Sequence, residues 1–288
     1  MHSWITEKKT NITTAIRIPL SRTTTWEQWG LLFGDAHIDN PHSQLKLHKK
    51  HLEQAKERGA FIIGIGDTFD AMQGKSDKRA DKSDLRPEVS NRSYLNSLVD
   101  FAYTFYSPYA PELTLLSKGN HETSVIAKVE YDLLDGLTCL LQRDGSPVIC
   151  GGYRGWIQFF FNDGEFRTSK TAYYHHGSGG GGPVTKGIIG TNRKAIEVPD
   201  ADFVFTGHIH EQWKFPIWRA RLKKSGIEEI SAQYHIQVPT YKEEYANEDS
   251  GFHHITGKPP KPLGAWWIRF YWSPDKNDVQ TTFIEADV

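Results

Sequence analysis

Five short apolar runs in this chain are each followed at once by residues of the types that bind metal ions. Each run has the length and composition of a buried strand. The residues that follow the runs are Asp35 and His37, Asp67, Asn120 and His121, His175 and His176, and His208 and His210. In open α/β sheets, functional groups collect at the carboxyl ends of the strands. The pattern therefore predicts an α/β fold in which these side chains meet at one edge of a sheet.

The composition is that of an ordinary globular protein. The 288 residues are 38% hydrophobic and 24% charged, with a net charge of −1 at pH 7, so we expect a single domain over residues 1–288. This charge supplies no global attraction to nucleic acid or to anionic membranes. Cys139 and Cys150 are the only cysteines, which excludes a disulfide framework. Without an apolar leader or a run of ~20 apolar residues, a cytoplasmic protein that does not bind membranes is expected.

Other segments carry weaker expectations. We predict an edge strand at Thr14–Leu20, one helix at Val125–Leu141, and a strand pair formed by Val148–Cys150 and Trp156–Phe161. Residues 75–86 are highly charged, so they form either a solvated loop or a lid that contacts a phosphate backbone. The glycine-rich loop 177–187 is interpreted as a flexible rim of the site. The Pro-rich segment 234–267 is a candidate for a small cap or insertion.

The polar clusters form an ordered series of motifs. Their pattern is D-x-H, G-D-x-x-D, G-N-H-E, H-G and G-H-x-H between Gly34 and His210. This series resembles the calcineurin-like metallophosphoesterase superfamily. The resemblance implies a four-layer αββα sandwich, in which two mixed β-sheets are flanked by helices. It also implies a two-metal centre at the strand ends.

The chemistry of two adjacent metals agrees with that resemblance. Two cations held ~3.5–4 Å apart need a ligand that bridges them, and the Asp67 carboxylate is the candidate. A mixed set of imidazole, carboxylate and amide ligands suits Mn, Fe or Zn better than Ca or Mg, so we expect two divalent ions, with Mn²⁺ favoured. By family position, one metal takes Asp35, His37, Asp67 and His210, and the other takes Asp67, Asn120, His176 and His208.

The resemblance assigns two further residues to catalysis. His121 would donate a proton to the leaving oxygen or stabilise the charge there. Asp70 would orient His121 by accepting its other ring N–H, and such a carboxylate would raise the pKa of the histidine. The expected mechanism is in-line attack on phosphorus by a hydroxide that bridges the metals, while the cations offset the charge on the phosphoryl oxygens.

Several neighbours of these residues allow two interpretations. Asp39 is interpreted as a polar turn residue rather than a group that supports the ligands. His176 is preferred to His175 as a ligand, because relatives place the ligand directly before a glycine. Glu122 is interpreted as a carboxylate that stabilises a helix start.

Contacts to substrate are less well defined. Lys118, Lys186 and Arg193 are candidates for binding phosphate. The remaining histidines are expected to have surface or ordinary polar roles; they are His42, His48, His51, His235, His253 and His254.

The motifs favour a diester substrate. In the Ser/Thr protein phosphatase branch two arginines hold a monoester dianion, and Ala71 and Lys118 occupy those positions here. The second motif looks closer to the repair-nuclease branch, although that branch usually has aspartate in place of Glu122 and a separate DNA-binding cap. We expect a phosphodiesterase acting on nucleic acid or nucleotides, with no protein partner. The alternatives are a broad-specificity phosphomonoesterase and, less favoured, a non-catalytic metal-binding scaffold.

Overall fold

The structure is a computed structural model that describes residues 4–71, 85–90, 92–180, 182, 184–222, 225–245 and 257–286. Within these residues the helices are α1 (Leu45–Glu57), α2 (Tyr94–Tyr106), α3 (Asn120–Val129), α4 (Leu133–Arg143) and α5 (Ile189–Glu197). The strands are β1 (Ile5–Thr10), β2 (Thr13–Pro19), β3 (Glu27–Phe33), β4 (Phe61–Ile65), β5 (Leu113–Ser117), β6 (Ile149–Gly151), β7 (Arg154–Asn162), β8 (Arg167–His175), β9 (Phe203–Thr206), β10 (Trp213–Leu222), β11 (Glu228–Gln237), β12 (Trp266–Ser273) and β13 (Asp278–Glu285).

The strands form two mixed sheets. One sheet has six strands in the order β13-β12-β3-β4-β5-β6, and the other has seven in the order β1-β2-β7-β8-β9-β11-β10. Strands β3 to β6 run parallel to one another, and so do β8, β9 and β11. Because parallel strands end at the same edge of a sheet, the loops that follow them are gathered together.

The two sheets pack face to face and are flanked by helices. An aromatic-rich core lies between the sheets, with Phe61, Phe159 and Phe270 in mutual contact. A second apolar core joins the six-stranded sheet to the helices, to which α2 contributes Leu98 and Ala102 at helical spacing. On the far side, α5 and the turn after it cover a small outer cluster on the seven-stranded sheet. The architecture is therefore the αββα sandwich of two mixed sheets that the motif series implied.

Strand composition follows position in the sandwich. β4 is buried at every residue, as expected for a central parallel strand covered on both faces. In β7 the fully buried residues occur at every second position, because successive side chains of a strand point to opposite faces. Continuous burial and alternate burial are the two patterns from which the sequence predicted these strands.

Three predicted elements were wrong in detail. The strand predicted at an edge is β2, which lies between β1 and β7. The predicted strand pair is split between the sheets, because β6 pairs with β5 and β7 pairs with β2 and β8. The single helix is two helices, α3 and α4, since Glu130 adopts a left-handed φ of 55° that ends α3. No helix in the described ranges is long and apolar enough to span a membrane.

Three segments with open interpretations lie partly outside the described residues. The parts outside are residues 75–84 of the charged loop, residues 181 and 183 of the glycine-rich loop, and residues 246–256 of the predicted cap, which include His253 and His254. Arg86, the last residue of the charged loop, donates to the carbonyls of Ile38 and Ser43 at 3.0 and 2.8 Å. Within segment 234–267, Thr240 and Tyr241 are fully buried. The small cap expected in this segment remains a prediction.

Three of the histidines for which surface or ordinary polar roles were expected are buried. His48 and His51, on α1, are fully buried in the helical core, and His235, on β11, is 2% exposed. His51 Nδ1 lies 2.7 Å from the Tyr241 hydroxyl. His48 stacks on Tyr241 with ring centroids 4.1 Å apart, and neither of its ring nitrogens has a hydrogen-bond partner among the described residues. Burial holds the pKa of His48 well below its usual range, so this ring is neutral in the folded protein.

We predict that His48→Leu raises the free energy of unfolding by about 1 kcal/mol at pH 7, because burying an unpaired polar group costs free energy. Below about pH 6.5 the unfolded histidine gains a proton that the buried ring cannot accept, so wild-type stability falls. The advantage of the variant should therefore grow between pH 7 and pH 5.5. Urea unfolding at both pH values measures this.

The matched control is His51→Leu, which removes the partner of the Tyr241 hydroxyl and should lower stability. If His48→Leu were the less stable of the two variants, the buried ring would have an interaction that the described contacts do not contain.

Candidate metal centre

Five residues of the motif loops adopt left-handed backbone conformations. The φ angles of Asp35, His37, Asp67, His208 and His210 lie between 44° and 72°. Such conformations are uncommon for residues other than glycine and cost about 1–3 kcal/mol where they are strained. Strain of this kind persists only where the surrounding structure enforces it. All five residues were predicted as metal ligands.

Backbone hydrogen bonds between the loops enforce these conformations. The N–H of Asp35 donates to the carbonyl of Gly66, and the N–H of His37 donates to the carbonyl of Asp67, both at 3.0 Å. The N–H of His208 donates to Asp35 Oδ2 at 2.8 Å. The loops after β3 and β4 are thus tied through their backbones, and the Asp35 carboxylate ties the loop after β9 to them.

Two glycines of the motifs allow the loops to approach closely. Gly66 has a φ of 89°, and a Cβ there would lie 2.2 Å from His176 Nδ1. A Cβ on Gly119 would lie 2.1 Å from Asp67 Oδ1. Side chains at either position would collide with predicted ligands, which is the physical reason for glycine in both motifs.

One cluster of candidate ligands contains Asp35, His37 and His210. Asp35 Oδ1 lies 3.2 Å from His210 Nε2 and 3.9 Å from His37 Nε2. Asp35 is fully buried and His37 is 2% exposed. Three ligand atoms therefore converge in a region from which water is largely excluded.

A second cluster contains Asp67, His176 and His208. His176 Nε2 lies 3.0 Å from Asp67 Oδ2 and 3.1 Å from Asn120 Oδ1. Asn120 Oδ1 also lies 2.7 Å from His208 Nδ1. The amide oxygen of Asn120 is thus at the centre of this group, whereas the neighbouring His175 points away from it.

Asp67, the predicted bridging ligand, belongs to the second cluster, and its charge also interacts with Asp35 and His37 of the first. Its Oδ2 atom contacts His176 and lies 3.8 Å from His121 Nε2. Its Oδ1 atom accepts the backbone N–H of His121 at 3.0 Å. Bridging of two metals by Asp67 stays a prediction.

The side chain of Asp70 does not orient His121 in the way that the sequence predicted. His121 Nδ1 hydrogen bonds to the backbone carbonyl of Asp70, while the Asp70 carboxylate lies 4.0 Å away. The carboxylate instead lies 2.9 Å from His37 Nδ1 and accepts Lys242 Nζ at 3.1 Å. The amide of Asn40 donates to its second oxygen at 2.9 Å. Asp70 therefore positions His37 directly and His121 through its main chain.

The charges of the two clusters are strongly linked. Burial alone would lower the pKa of His176, but the Asp67 carboxylate outweighs it and raises that pKa to about 10. Burial likewise opposes the charged form of His121, and Asp67 and Asp70 raise its pKa above the ordinary value. For His37, burial prevails over Asp70 and lowers the pKa. His176 is therefore a cation beside Asp67, whereas His37 is neutral.

These residues fit divalent metal ions. Asp35 Oδ1 and His37 Nε2 are buried and have no hydrogen-bond partner in the part of the chain that the structure describes. Buried polar atoms without partners are costly, and a cation between them would remove that cost. In the second cluster a cation would replace the proton of His176, because a histidine must be neutral to bind metal. The donor set of imidazole, carboxylate and amide oxygen suits Mn, Fe or Zn.

Glu122 has a larger role than a helix-start carboxylate. It is fully buried at the first turn of α3, and it accepts N–H groups from Gly119 at 2.7 Å, Asp67 at 3.1 Å and Phe69 at 2.9 Å. One carboxylate thus joins the second and third motif loops. Burial raises the pKa of Glu122 to about 7, and the nearby Asp67 adds to this.

Asp39 lies in a turn, as interpreted, but its side chain also supports the loop that carries a predicted ligand, which was the less favoured alternative. Asp39 is 3% exposed and accepts the N–H groups of Asp70 and Ala71 at 2.6 and 2.9 Å. It therefore holds the second motif loop from the side opposite Glu122. The signal available in the sequence was the position of Asp39 four residues after Asp35. A polar residue of an ordinary turn can stand at the same position, so this signal did not reveal the role.

The candidate phosphate contacts do not converge on the clusters. Lys118 Nζ forms an ion pair with Asp132 at 2.5 Å. Lys186 is 59% exposed and lies 4.0 Å from Glu211. Arg193 is exposed on α5. Their roles in substrate binding remain predictions.

Sequence reasoning missed the segment that supports the site from behind. The Thr240 hydroxyl and the Tyr241 N–H both donate to the carbonyl of Asp35, at 2.7 and 3.1 Å. Lys242 is 7% exposed and bridges Asp70 and Glu244, the latter at 2.9 Å. No motif marks these residues, because their partners lie about 170–200 residues away in the chain.

We predict that Glu122→Gln destabilises the protein by about 2 kcal/mol, because the amide NH₂ must face one of the N–H donors that the carboxylate accepts. The change should also weaken binding of divalent metal, since Asp67 lies on a loop that Glu122 holds. Urea unfolding and metal titration measure the two effects. Glu130→Gln, at the exposed end of the same helix, is the control and should change neither; equal behaviour of the two variants would contradict the role of Glu122.

Comparisons with known proteins place few constraints on this chain. No protein-family model and no curated protein sequence matches it. Similar solved structures include GAP50, the anchor in the inner membrane complex of Plasmodium, at 12% identity and a TM-score of 0.47 over 90% of this chain and 84% of that chain. A predicted phosphoesterase from Streptococcus pneumoniae TIGR4 matches at 10% identity and a TM-score of 0.32 over 91% and 99% of the two chains. Vps29 complexed with Zn²⁺ from Entamoeba histolytica matches at 10% identity and a TM-score of 0.36, over 90% of this chain and 99% of that chain. Identities and scores this low do not assign the chain to a family or an activity.

Proposed function

We propose that this protein is a phosphodiesterase that uses two divalent metal ions, with Mn²⁺ favoured, to hydrolyse phosphoester bonds of nucleic acid or nucleotides. The observation that carries the proposal is the pair of buried ligand clusters, one of Asp35, His37 and His210 and the other of Asp67, His176 and His208, with His121 close to Asp67. When bound, the ions would supply an activated water and offset the charge that grows on the phosphoryl oxygens.

His121 has the geometry of a proton donor to the leaving oxygen. Its Nδ1 is occupied by the carbonyl of Asp70, so its Nε2–H is the free donor and points toward Asp67. The carboxylates of Asp67 and Asp70 raise the pKa of the ring, which favours the protonated form that a general acid requires. Its side chain is 10% exposed, which leaves access for a leaving group but little competing water.

Two positions support a diester rather than a monoester. A monoester dianion carries more charge than a diester and needs additional cationic groups to hold it. Ala71 offers none, and Lys118 is already paired with Asp132. Within the described residues, Lys242 lies near the clusters but is held by Asp70 and Glu244.

The deciding experiment is hydrolysis of matched aryl phosphate monoester and diester substrates by metal-stripped protein reloaded with Mn²⁺. A strong diester preference supports the proposal. A monoester preference would replace it with a broad-specificity phosphomonoesterase. Two bound metals with no activity on either substrate, or on DNA, RNA and nucleotide diesters, would favour a non-catalytic scaffold.

We predict that Asp67→Asn lowers the metal content and abolishes turnover, because an amide cannot supply two anionic oxygens to two ions. Elemental analysis and the diester assay measure the two effects. Asp100→Asn, an exposed change on α2, is the matched control and should alter neither. Two tightly held metals in Asp67→Asn would contradict the bridging role.

A second prediction concerns His121→Ala, which should retain its metals but slow turnover by about 10²–10⁴-fold, as expected for loss of a general acid. The loss should be largest for substrates with poor leaving groups, because these depend most on protonation. Rates over a series of aryl leaving groups measure this. Equal slowing across the series would argue against proton donation by His121.

A further inference from the structure

A cavity lies beside the metal centre, on the outer face of the seven-stranded sheet. It has a volume of about 180 Å³ and is bounded by α5, the glycine-rich loop and the ends of β8, β9 and β11. His175 lines it, while the next residue, His176, faces the metal clusters. Ile209 lines it between His208 and His210. Consecutive Cα atoms are ~3.8 Å apart, so the cavity and the metal centre share one thin wall of backbone.

The size of the cavity suits one part of a ligand. Pockets for whole drug-sized ligands are ~300–1,000 Å³. The space therefore fits a single heterocyclic ring system rather than a complete nucleotide.

The hydrogen-bond network fixes the tautomers of two imidazoles that line the cavity. His175 Nδ1 accepts the N–H of Gly177 at 2.9 Å, so its proton is on Nε2. Gln233 donates its amide to the carbonyls of Val198 and Ala201, so its oxygen accepts His235 Nε2–H at 2.9 Å. Of the two imidazoles in the lining, His175 thus carries its ring N–H at Nε2, and His235 has an unprotonated Nδ1.

The charge around the cavity is balanced. Burial lowers the pKa of His235 to about 4, with added repulsion from Arg219, so this ring is neutral at pH 7. The Nδ1 atom of His175 accepts a hydrogen bond and therefore carries no proton. Lys194, which also lines the cavity, is paired with Glu197 at 2.8 Å. A neutral polar ligand fits this environment better than an anion.

An aromatic side chain completes the lining. Trp213 lies opposite Gln237 in the register of β10 and β11, and both line the cavity. The indole N–H of Trp213 donates to the carbonyl of Lys186 at 2.9 Å, which holds the ring in place. A fixed indole is a surface on which a planar ring can stack.

We propose that this cavity binds the nucleobase of the substrate. A nucleobase is neutral and planar, with hydrogen-bond donors and acceptors at its edge and apolar faces, which matches the imidazoles, Trp213 and Ile209. The assignment rests on the proposed function, because it identifies the substrate as a nucleoside phosphodiester whose phosphate lies at the adjacent metal clusters.

The test is binding of free adenosine and uridine to the metal-free full-length protein, measured by equilibrium dialysis with ribose as the control. Saturable binding of the nucleosides without binding of ribose is expected. Trp213→Ala and His175→Phe should each weaken nucleoside binding by about tenfold, as loss of base stacking or of a ring hydrogen bond predicts. Trp218→Ala is the matched control, because Trp218 lies on the opposite face of β10 and is 68% exposed; it should bind as the wild type does.

A second readout uses the Mn²⁺-loaded protein and a dinucleoside diester. Trp213→Ala should raise KM and leave kcat unchanged, since the cavity binds the substrate away from the reacting bond. Circular dichroism checks folding, and if Trp213→Ala is unfolded, His175→Phe decides the question alone.

The outcomes separate the two proposals. Nucleoside binding by a protein that hydrolyses no diester would retain the cavity assignment and overturn the proposed function. Diester hydrolysis without nucleoside binding, or nucleoside binding that both variants leave unchanged, would overturn the cavity assignment.

Discussion

Burial of the Asp35 and Asp67 carboxylates is the constraint on which the rest of the site depends. Asp35 is fully buried and Asp67 is 2% exposed, and an unpaired buried carboxylate is very costly. The backbone N–H groups of His208 and His121 donate hydrogen bonds to Asp35 and Asp67, and the cationic ring of His176 stabilises the charge of Asp67. A divalent ion would supply the same positive charge. The site is therefore arranged around the negative charge of two buried carboxylates, and histidines lie next to both of them.

The same constraint explains why the loops are strained and held so firmly. Left-handed backbones at Asp35 and Asp67 aim their side chains inward, and they persist because other groups hold the loops. Glu122 and Asp39, both buried carboxylates, accept five backbone N–H groups between them. Glu122 and Asp39 thus hold the loops that carry the predicted ligands, although neither is a predicted ligand itself.

Much of the fold could be predicted from local pattern. Fully apolar runs such as β4 and a helical stripe such as that of α2 mark buried strands and helices, because burial imposes a period on the chain. Predictions failed where a single residue ends an element or where the pairing of strands determines which sheet a strand joins. The left-handed Glu130 divides a helical pattern that is otherwise continuous. β6 and β7 follow each other closely, yet they enter different sheets, because each finds its partner elsewhere.

The sequence by itself determined which residue types stand at the strand ends, because strand periodicity and ligand chemistry are local properties of the chain. The αββα sandwich that gathers them was implied by the resemblance of the motif series to a known superfamily. Only the tertiary structure decided which groups meet. Asp70 holds His37 and Lys242 with its carboxylate and His121 with its carbonyl. His175 faces a cavity, while His176 faces the Asp67 carboxylate. Such pairings join residues that are distant in the chain, and the free energy of burying each polar group depends on neighbours that no local pattern contains.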